Sequence, residues 1–170
     1  MHTTENKPTI HDPREEPTQF FITDRLQLGE IIEQLTVFTG KADLKIMSFS
    51  VGEEFVRKIH TLKKKGRIKS AELVFDFKAA EKTARTNTLT TTVFDRVYYC
   101  ANHAKVVVVA GEQQTCTVLT SQNGTRGTRN EAYFITNKRR SASARSSRCT
   151  RTRRTPSTWR TLATSMRSSA

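Results

Sequence analysis

Residues 102–109 have the sequence NHAKVVVV, in which a short polar segment runs directly into four valines. A run of β-branched residues is typical of a buried β-strand. Side chains alternate between the two faces of a strand, so this stretch predicts that His103 and Lys105 share one face of a rigid strand. An imidazole beside an ammonium group is a natural arrangement for chemistry on a phosphate.

Three more polar side chains follow at the ends of apolar runs. Ser121 and Asn123 have the same two-residue spacing and come after the apolar run 117–119. Glu131 directly precedes the apolar run 132–135. Each of these side chains therefore lies at one end of a predicted strand.

The order His-x-Lys, then Ser-x-Asn, then a Glu that opens an apolar strand resembles the phospholipase D superfamily. The likeness is greatest to its short members with a single His-x-Lys motif, which include bacterial endonucleases. It covers residues 24–136, and its specific part is confined to residues 103–135. The fold that it implies is α/β, a mixed β-sheet flanked by helices that forms one phospholipase D-like lobe.

The resemblance also implies a role for each polar side chain. His103 would attack phosphorus and form a phosphohistidine, which water then hydrolyses. Lys105 and Asn123 would bind the non-bridging oxygens with support from Ser121. Glu131 would accept a hydrogen bond from the His103 imidazole and fix its tautomer.

Such a mechanism needs no metal or other cofactor, but it needs a second histidine as the acid. The other histidines are His2, His11 and His60, and none of them lies in a second motif. In the single-motif members of the family the second lobe comes from a second copy of the chain. We therefore expect a homodimer with His103 of each copy at one site.

The sequence departs from the family pattern at two positions. The family has an Asp five residues after the Lys, where this chain has Ala110, and a Gly before the Ser, where this chain has Thr120. The missing Asp is thought to be mostly structural in the family, so the local geometry is affected more than the reaction.

Less specific explanations exist for some of these residues. His103 and Lys105 taken alone fit an ordinary strand end, and Asn123 before a glycine fits a tight turn. Glu131 could pair on the surface with Arg126 or Arg129. These two arginines could instead contact a nucleic-acid backbone, which is the role that we assign to them here.

The charge of the chain is concentrated in its last residues. Residues 138–170 hold ten of the 29 Lys and Arg residues and none of the 16 Asp and Glu residues, which leaves 19 basic and 16 acidic side chains in residues 1–137. The last 33 residues are rich in Arg, Ser and Thr and poor in apolar residues, so we expect a disordered basic tail. In the family an amphipathic helix follows the last strand, and its replacement suggests a shifted reading frame.

Three segments are therefore expected: a flexible leader over residues 1–19, a domain over 20–137 and the tail over 138–170. Helices are predicted from about Asp24 to Gly40 and over 53–65, with a further short helix after Glu81. Strands are predicted over 43–49, 68–77, 93–99, 105–109, 117–120 and 132–135.

The functional expectation is a metal-independent phosphodiesterase, with nucleic acid, most simply DNA, as substrate. Two alternatives remain: a non-catalytic nucleic-acid-binding protein, and an inactive truncated or frameshifted product. The three cysteines show no zinc or redox spacing, and no run of apolar residues is long enough for a membrane span. These features predict a cytoplasmic protein without a membrane partner.

Overall fold

The computed structural model describes residues 7–81, 84–137 and 150–151. The predicted basic tail, and with it the hypothesis of a shifted reading frame, lies outside these residues apart from the last two. The described elements in chain order are β1 (Thr18–Thr23), α1 (Leu28–Thr39), β2 (Ala42–Ser48), α2 (Glu53–Lys64), β3 (Ile68–Asp76), α3 (Phe77–Glu81), α4 (Ala84–Val93), β4 (Arg96–Cys100), β5 (Val106–Gly111), β6 (Thr115–Thr120), β7 (Glu131–Thr136) and β8 (Thr150–Arg151).

These strands form one mixed sheet in the order β1-β7-β6-β5-β2-β3-β4-β8. Strands β2, β3 and β4 are parallel, whereas β5, β6, β7 and β1 continue the sheet with antiparallel pairing. Helices connect the parallel strands, as parallel neighbours require a crossover. The prediction of a mixed α/β sheet with flanking helices is confirmed.

The hydrophobic core lies between the sheet and a layer of helices. Helix α1 packs against β5 and β6, α2 packs against β3, and α4 contacts both α2 and β4. Alternate strand residues such as Leu44, Leu73 and Val107 point into this layer and are completely buried. They meet Ile32 and Ile59 from the helices, which belong to the same apolar cluster.

The opposite face of the sheet carries an apolar row that crosses seven strands. In register, the residues of this row are Phe20, Phe134, Leu119, Val106, Met47, Val74 and Tyr98. Phe20 is 61% exposed and Ile22, on the same face of β1, is 66% exposed. Within the part of the chain that the structure describes, α1, α2 and α4 all lie on the other face.

The packed domain begins earlier than the composition indicates. Ile10 is buried, and the backbone N–H of His11 donates a hydrogen bond to the buried Gln19 side chain at 2.9 Å. Strand β1 starts at Thr18 and pairs along its whole length with β7. The proline-rich composition of residues 8–17 concealed this packing, because turns that lie against a core have the same composition as a free leader.

The boundaries of α1 differ from the prediction at one end. The helix begins at Leu28 with Gln27 at the N-cap, whereas Asp24 was predicted to hold that position. Glu30 accepts a hydrogen bond from the Gln27 backbone N–H at 2.9 Å, so the first turn is capped from within the helix. The end at Gly40 is as predicted, with a φ of 74° that favours glycine.

Candidate active site

The predicted site residues gather at one edge of the sheet. The carboxyl ends of β2, β3, β4 and β6 and the amino ends of β5 and β7 all lie at this edge. In open α/β sheets, ligands bind outside the carboxyl ends of the parallel strands. The register places residues 103–105 beside residues 120–122, since the Thr120 backbone N–H donates to the Lys105 carbonyl at 3.2 Å.

His103 and Lys105 are close together, although not on the strand that was predicted for them. Strand β5 begins at Val106, and residues 102–105 form an irregular segment before it. The Lys105 ammonium donates to the His103 carbonyl at 2.8 Å and lies 3.4 Å from Nδ1 of the His103 ring. An ammonium group only donates, so this contact suits an unprotonated Nδ1 and places the proton of a neutral imidazole on Nε2.

The end of β2 supplies two neighbours of the site that the sequence did not reveal. Phe49 packs against the His103 ring with centroids 5.4 Å apart. The Ser48 hydroxyl accepts a hydrogen bond from the Gly124 backbone N–H at 2.9 Å and donates to the Ser50 carbonyl at 2.7 Å. The end of one central strand thus contacts both the histidine and the loop that carries Asn123.

Ser121 and Glu131 form a hydrogen-bonded pair across the start of β7. The Ser121 hydroxyl donates to the Glu131 carboxylate and accepts from the Ala132 backbone N–H at 3.0 Å. The expected hydrogen bond between Glu131 and His103 is absent from the described residues. The strand register explains this, because Ser121 lies opposite Ala132 and is therefore next to Glu131.

Asn123 is half-buried beside this pair. Its side-chain Oδ1 is buried and has no hydrogen-bond partner within the described ranges. The next residue, Gly124, is held against the first turn of α2, where its carbonyl accepts from the Gly52 backbone N–H at 2.7 Å. A Cβ at Gly124 would lie 2.8 Å from Val51, so the close approach requires glycine there.

The buried side chain of Gln122 anchors the loop that carries Asn123 to α1 and β7. Gln122 is 2% exposed, and its Oε1 accepts from the Leu28 backbone N–H at 2.7 Å and from the Tyr133 hydroxyl at 2.9 Å. Its Nε2 donates to Gln27 at 2.8 Å, and Gln27 holds Gly127 through both backbone groups. Burial raises the pKa of the Tyr133 hydroxyl well above its usual range, which keeps it a donor.

A buried carboxylate fixes the histidine segment. Asp76, the last residue of β3, accepts a hydrogen bond from the Asn102 backbone N–H at 3.0 Å. The Asn102 side chain in turn accepts from the Ala104 backbone N–H at 3.1 Å and donates to the Ala104 carbonyl at 3.3 Å. The residues on both sides of His103 are therefore tied down, while the imidazole is exposed.

The two arginines of the loop have different surroundings. Arg126 lies 3.5 Å from the Glu54 carboxylate on α2, and both side chains are mostly exposed. The carboxylate that pairs with Arg126 is therefore that of Glu54 and not that of Glu131. Arg129 is exposed on the same loop. Arg126 also lines a cavity of about 260 Å³ between α1 and α2.

Of the two departures from the family pattern, Ala110 lies far from the candidate site and Thr120 lies next to it. Ala110 lies at the far end of β5, opposite Thr115 and Asp43, and is separated from His103 by most of the strand. Thr120 adjoins the site, and its hydroxyl accepts from the Gln122 backbone N–H at 2.9 Å. Where the family has glycine, this side chain therefore makes a local turn contact.

Across residues 7–81 and 84–137, no group of three or more His, Cys, Asp and Glu side chains is placed to hold a metal ion. No helix in the same ranges has both the length and the apolar character to cross a membrane.

No protein-family model and no curated protein sequence matches the chain. Among solved structures, a polyphosphate kinase from Porphyromonas gingivalis is similar, with a TM-score of 0.52 and 11% identity over 78% of this chain and 25% of the other. A mutant yeast tyrosyl-DNA phosphodiesterase has a TM-score of 0.42 and 14% identity, over 69% of this chain and 31% of that one. A phosphatidylserine synthase from Haemophilus influenzae Rd KW20 has a TM-score of 0.49 and 18% identity, over 69% and 33%.

At this level of identity, the likeness to the polyphosphate kinase concerns the fold. The chain spans a quarter to a third of the length of the three proteins. The comparison therefore concerns the mixed α/β fold alone, and the roles of single residues do not follow from it.

Proposed function

We propose that the chain is a metal-independent phosphodiesterase, and most simply a nuclease, that acts through a phosphohistidine intermediate. The observation that carries the proposal is the position of His103 and Lys105 at the same edge of the sheet as the Ser121–Glu131 pair and Asn123. These groups come from separate segments of the chain. Together they provide a nucleophile, a cation and neutral donors, which transfer at a phosphodiester requires.

In the proposed reaction the Nε2 atom of His103 attacks phosphorus and the bond to the leaving oxygen breaks. Attack through Nε2 needs the ring proton on Nδ1, whereas the contact with Lys105 suits the other tautomer. We infer that a bound phosphate draws the Lys105 ammonium to its non-bridging oxygens and so releases Nδ1. Asn123 would bind the same oxygens. Ser121, already paired with Glu131, would support it.

The leaving alkoxide must receive a proton, and water must then break the phosphorus–nitrogen bond. A second histidine is suited to both steps because an imidazole can both donate and accept a proton in general acid–base catalysis. The only other described histidines, His11 and His60, lie outside the site edge, so we propose that a second copy supplies its own His103. Arg126 and Arg129 would contact the nucleic-acid backbone beside this shared site.

The experiment compares the wild-type chain with a His103→Ala variant on plasmid and single-stranded DNA in excess chelator. The control is His60→Ala, which removes an exposed histidine from α2. Cleavage by the wild type and the control but not by His103→Ala is expected. A covalent phosphoryl label that is stable to base and labile to acid would mark the intermediate. Cleavage that survives His103→Ala contradicts the proposal.

The dimer is tested by sedimentation of active protein at several concentrations. Activity that falls with dilution as the dimer dissociates is expected, since each site then loses its second histidine. Full activity in a strictly monomeric sample would contradict the shared site.

The charge distribution favours a second candidate, a protein that binds nucleic acid without cleaving it. Ten basic residues and no acidic residue follow residue 137. Binding of this kind weakens steeply with salt. It would persist in His103→Ala and be lost when residues 138–170 are removed, whereas the enzyme hypothesis predicts loss of cleavage in the first variant.

A further inference from the structure

Asp76 is a buried carboxylate whose described partners are all backbone N–H groups. It is 6% exposed at the end of β3. Its Oδ1 accepts from Lys78 and Ala79 at 2.9 and 3.2 Å, and its Oδ2 accepts from Asn102 at 3.0 Å. A buried charge is costly unless it is well hydrogen-bonded, so the Asp76 carboxylate depends on all three of these backbone donors. The two oxygens have different tasks, since one holds the start of α3 and the other holds the segment before β5.

The segment held by Oδ2 carries His103. Asn102 is itself 8% exposed, and its side chain spans His103 by bonding both backbone groups of Ala104. His103 is thus the exposed residue of a short turn, and the buried residues Asn102 and Asp76 hold the amino-terminal side of that turn. Its ring then rests on Phe49, which is attached to a different strand.

We propose that Asp76, acting through Asn102, is a positioning residue for His103. It sets where the imidazole stands relative to Lys105 and the Ser121–Glu131 pair and does not itself touch substrate. The catalytic part of this inference rests on the proposed function. The positional part concerns the free protein and holds or fails independently of any activity.

Asp76→Asn separates the two tasks of the carboxylate. The asparagine side-chain oxygen can still accept from Lys78 and Ala79 at the start of α3. Its amide group, however, faces the Asn102 N–H as a second donor and cannot accept from it. The matched control is Asp95→Asn, because Asp95 also accepts a backbone N–H, that of Ala71 at 2.7 Å, but lies at the other end of β4.

The first measurement is the NMR spectrum of the histidine rings in the full chain, with His103 assigned by its loss in His103→Ala. In Asp76→Asn the His103 ring signals should shift, while those of His60 stay in place. Asp95→Asn should leave the His103 signals unchanged even if it lowers stability. Unchanged His103 signals in a folded Asp76→Asn protein would overturn the proposal.

The second measurement is steady-state kinetics on a phosphodiester. A displaced nucleophile should lower kcat by about a hundredfold, with KM changed by about threefold or less. Equal kcat in Asp76→Asn and wild type would overturn the catalytic part of the proposal. If the wild type proves inactive, the proposed function fails, and the NMR comparison alone decides the positional claim.

A second variant covers the case in which Asp76→Asn does not fold. Asn102→Ala keeps the backbone N–H that binds Asp76 but removes the side-chain bonds to Ala104. The His103 signals and kcat should change in the same direction as above. A folded Asn102→Ala protein with wild-type values for both would show that this turn does not position the histidine.

Discussion

The rings of Phe49 and His103 are in tilted contact, with centroids 5.4 Å apart and 52° between the ring planes. Phe49 directly follows β2, and His103 precedes β5, the antiparallel neighbour of β2. Aromatic contacts of this kind contribute about 0.5–1.5 kcal/mol beyond the area that they bury. The exposed imidazole is therefore oriented by a side chain from an adjacent strand as well as by its own segment.

Replacement of Phe49 by Leu should lower kcat because the imidazole loses the surface that limits its rotation. We expect about a tenfold decrease, a partial loss of orientation, with little change in KM. The control is Phe21→Leu, a partly buried phenylalanine of β1 that packs against the core away from His103. Steady-state kinetics on both variants tests whether Phe49 orients the His103 imidazole. Equal kcat values in the two variants would contradict that role.

Replacement of Gln122 by Leu should destabilise the domain and loosen the loop that carries Asn123. The change leaves the Leu28 N–H without its acceptor in a buried place, whereas the Tyr133 hydroxyl can still donate to the Leu26 carbonyl at 2.7 Å. Unpaired buried groups of this kind cost about 1–3 kcal/mol of the free energy of unfolding. Denaturant unfolding measures the loss, and Gln113→Leu, an exposed glutamine on the β5–β6 turn, is the control that should change little.

The packed fold was largely accessible from sequence because each element follows a regular pattern. The apolar spacing of α2 and the alternation of β2 predicted their positions to within one or two residues, and the predicted bounds of β3 were equally close. Strand β1 was missed because it is short and follows several prolines. Its apolar side chains Phe20 and Ile22 are also largely exposed, so they do not mark a buried face.

For the candidate site, the sequence could predict which residues take part but not how they contact one another. The sequence order suggested His103 and Ser121, but hydrogen bonds that depend on register could not be read from it. Glu131 bonds Ser121 because β6 and β7 are paired in one particular register. Asp76 could have been suspected, since an Asp at the carboxyl end of a parallel strand lies at the edge where ligands bind. Phe49 has no such signal.

Replacement of Gly111 by Ala should strongly destabilise the protein. A Cβ at this position would lie 2.1 Å from the Thr39 carbonyl oxygen, so the end of β5 and the end of α1 must move apart. Overpacking of this kind typically costs about 1–3 kcal/mol. The matched control is Gly52→Ala, whose Cβ would be 3.6 Å from its nearest neighbour in Thr125. Thermal unfolding of both variants should show a much larger loss for Gly111→Ala, and equal losses would contradict the contact.

Acid should weaken the contact between α1 and α2 through Glu33. The Lys58 ammonium, which donates a hydrogen bond to this carboxylate, holds the pKa of Glu33 below its usual range, against the opposing effect of burial. Because the folded-state pKa is the lower one, the stabilisation is present above the unfolded pKa and is lost as the pH falls through the folded pKa. The side chains of Glu33 and Lys58 are 28% and 32% exposed, so solvent screening limits the effect to about 1 kcal/mol.

The measurement for this pair is denaturant unfolding of the wild type and Glu33→Gln at neutral pH and near pH 3. At neutral pH the variant should be less stable, and the difference should shrink as the pH falls through the folded-state pKa of Glu33, because the wild-type carboxyl then takes up a proton. Glu53→Gln is the control, since its pair with Arg57 joins two exposed side chains of the same helix and should contribute less. A stability difference for Glu33→Gln that persists unchanged at pH 3 would show that the side chain acts through packing and not through its charge.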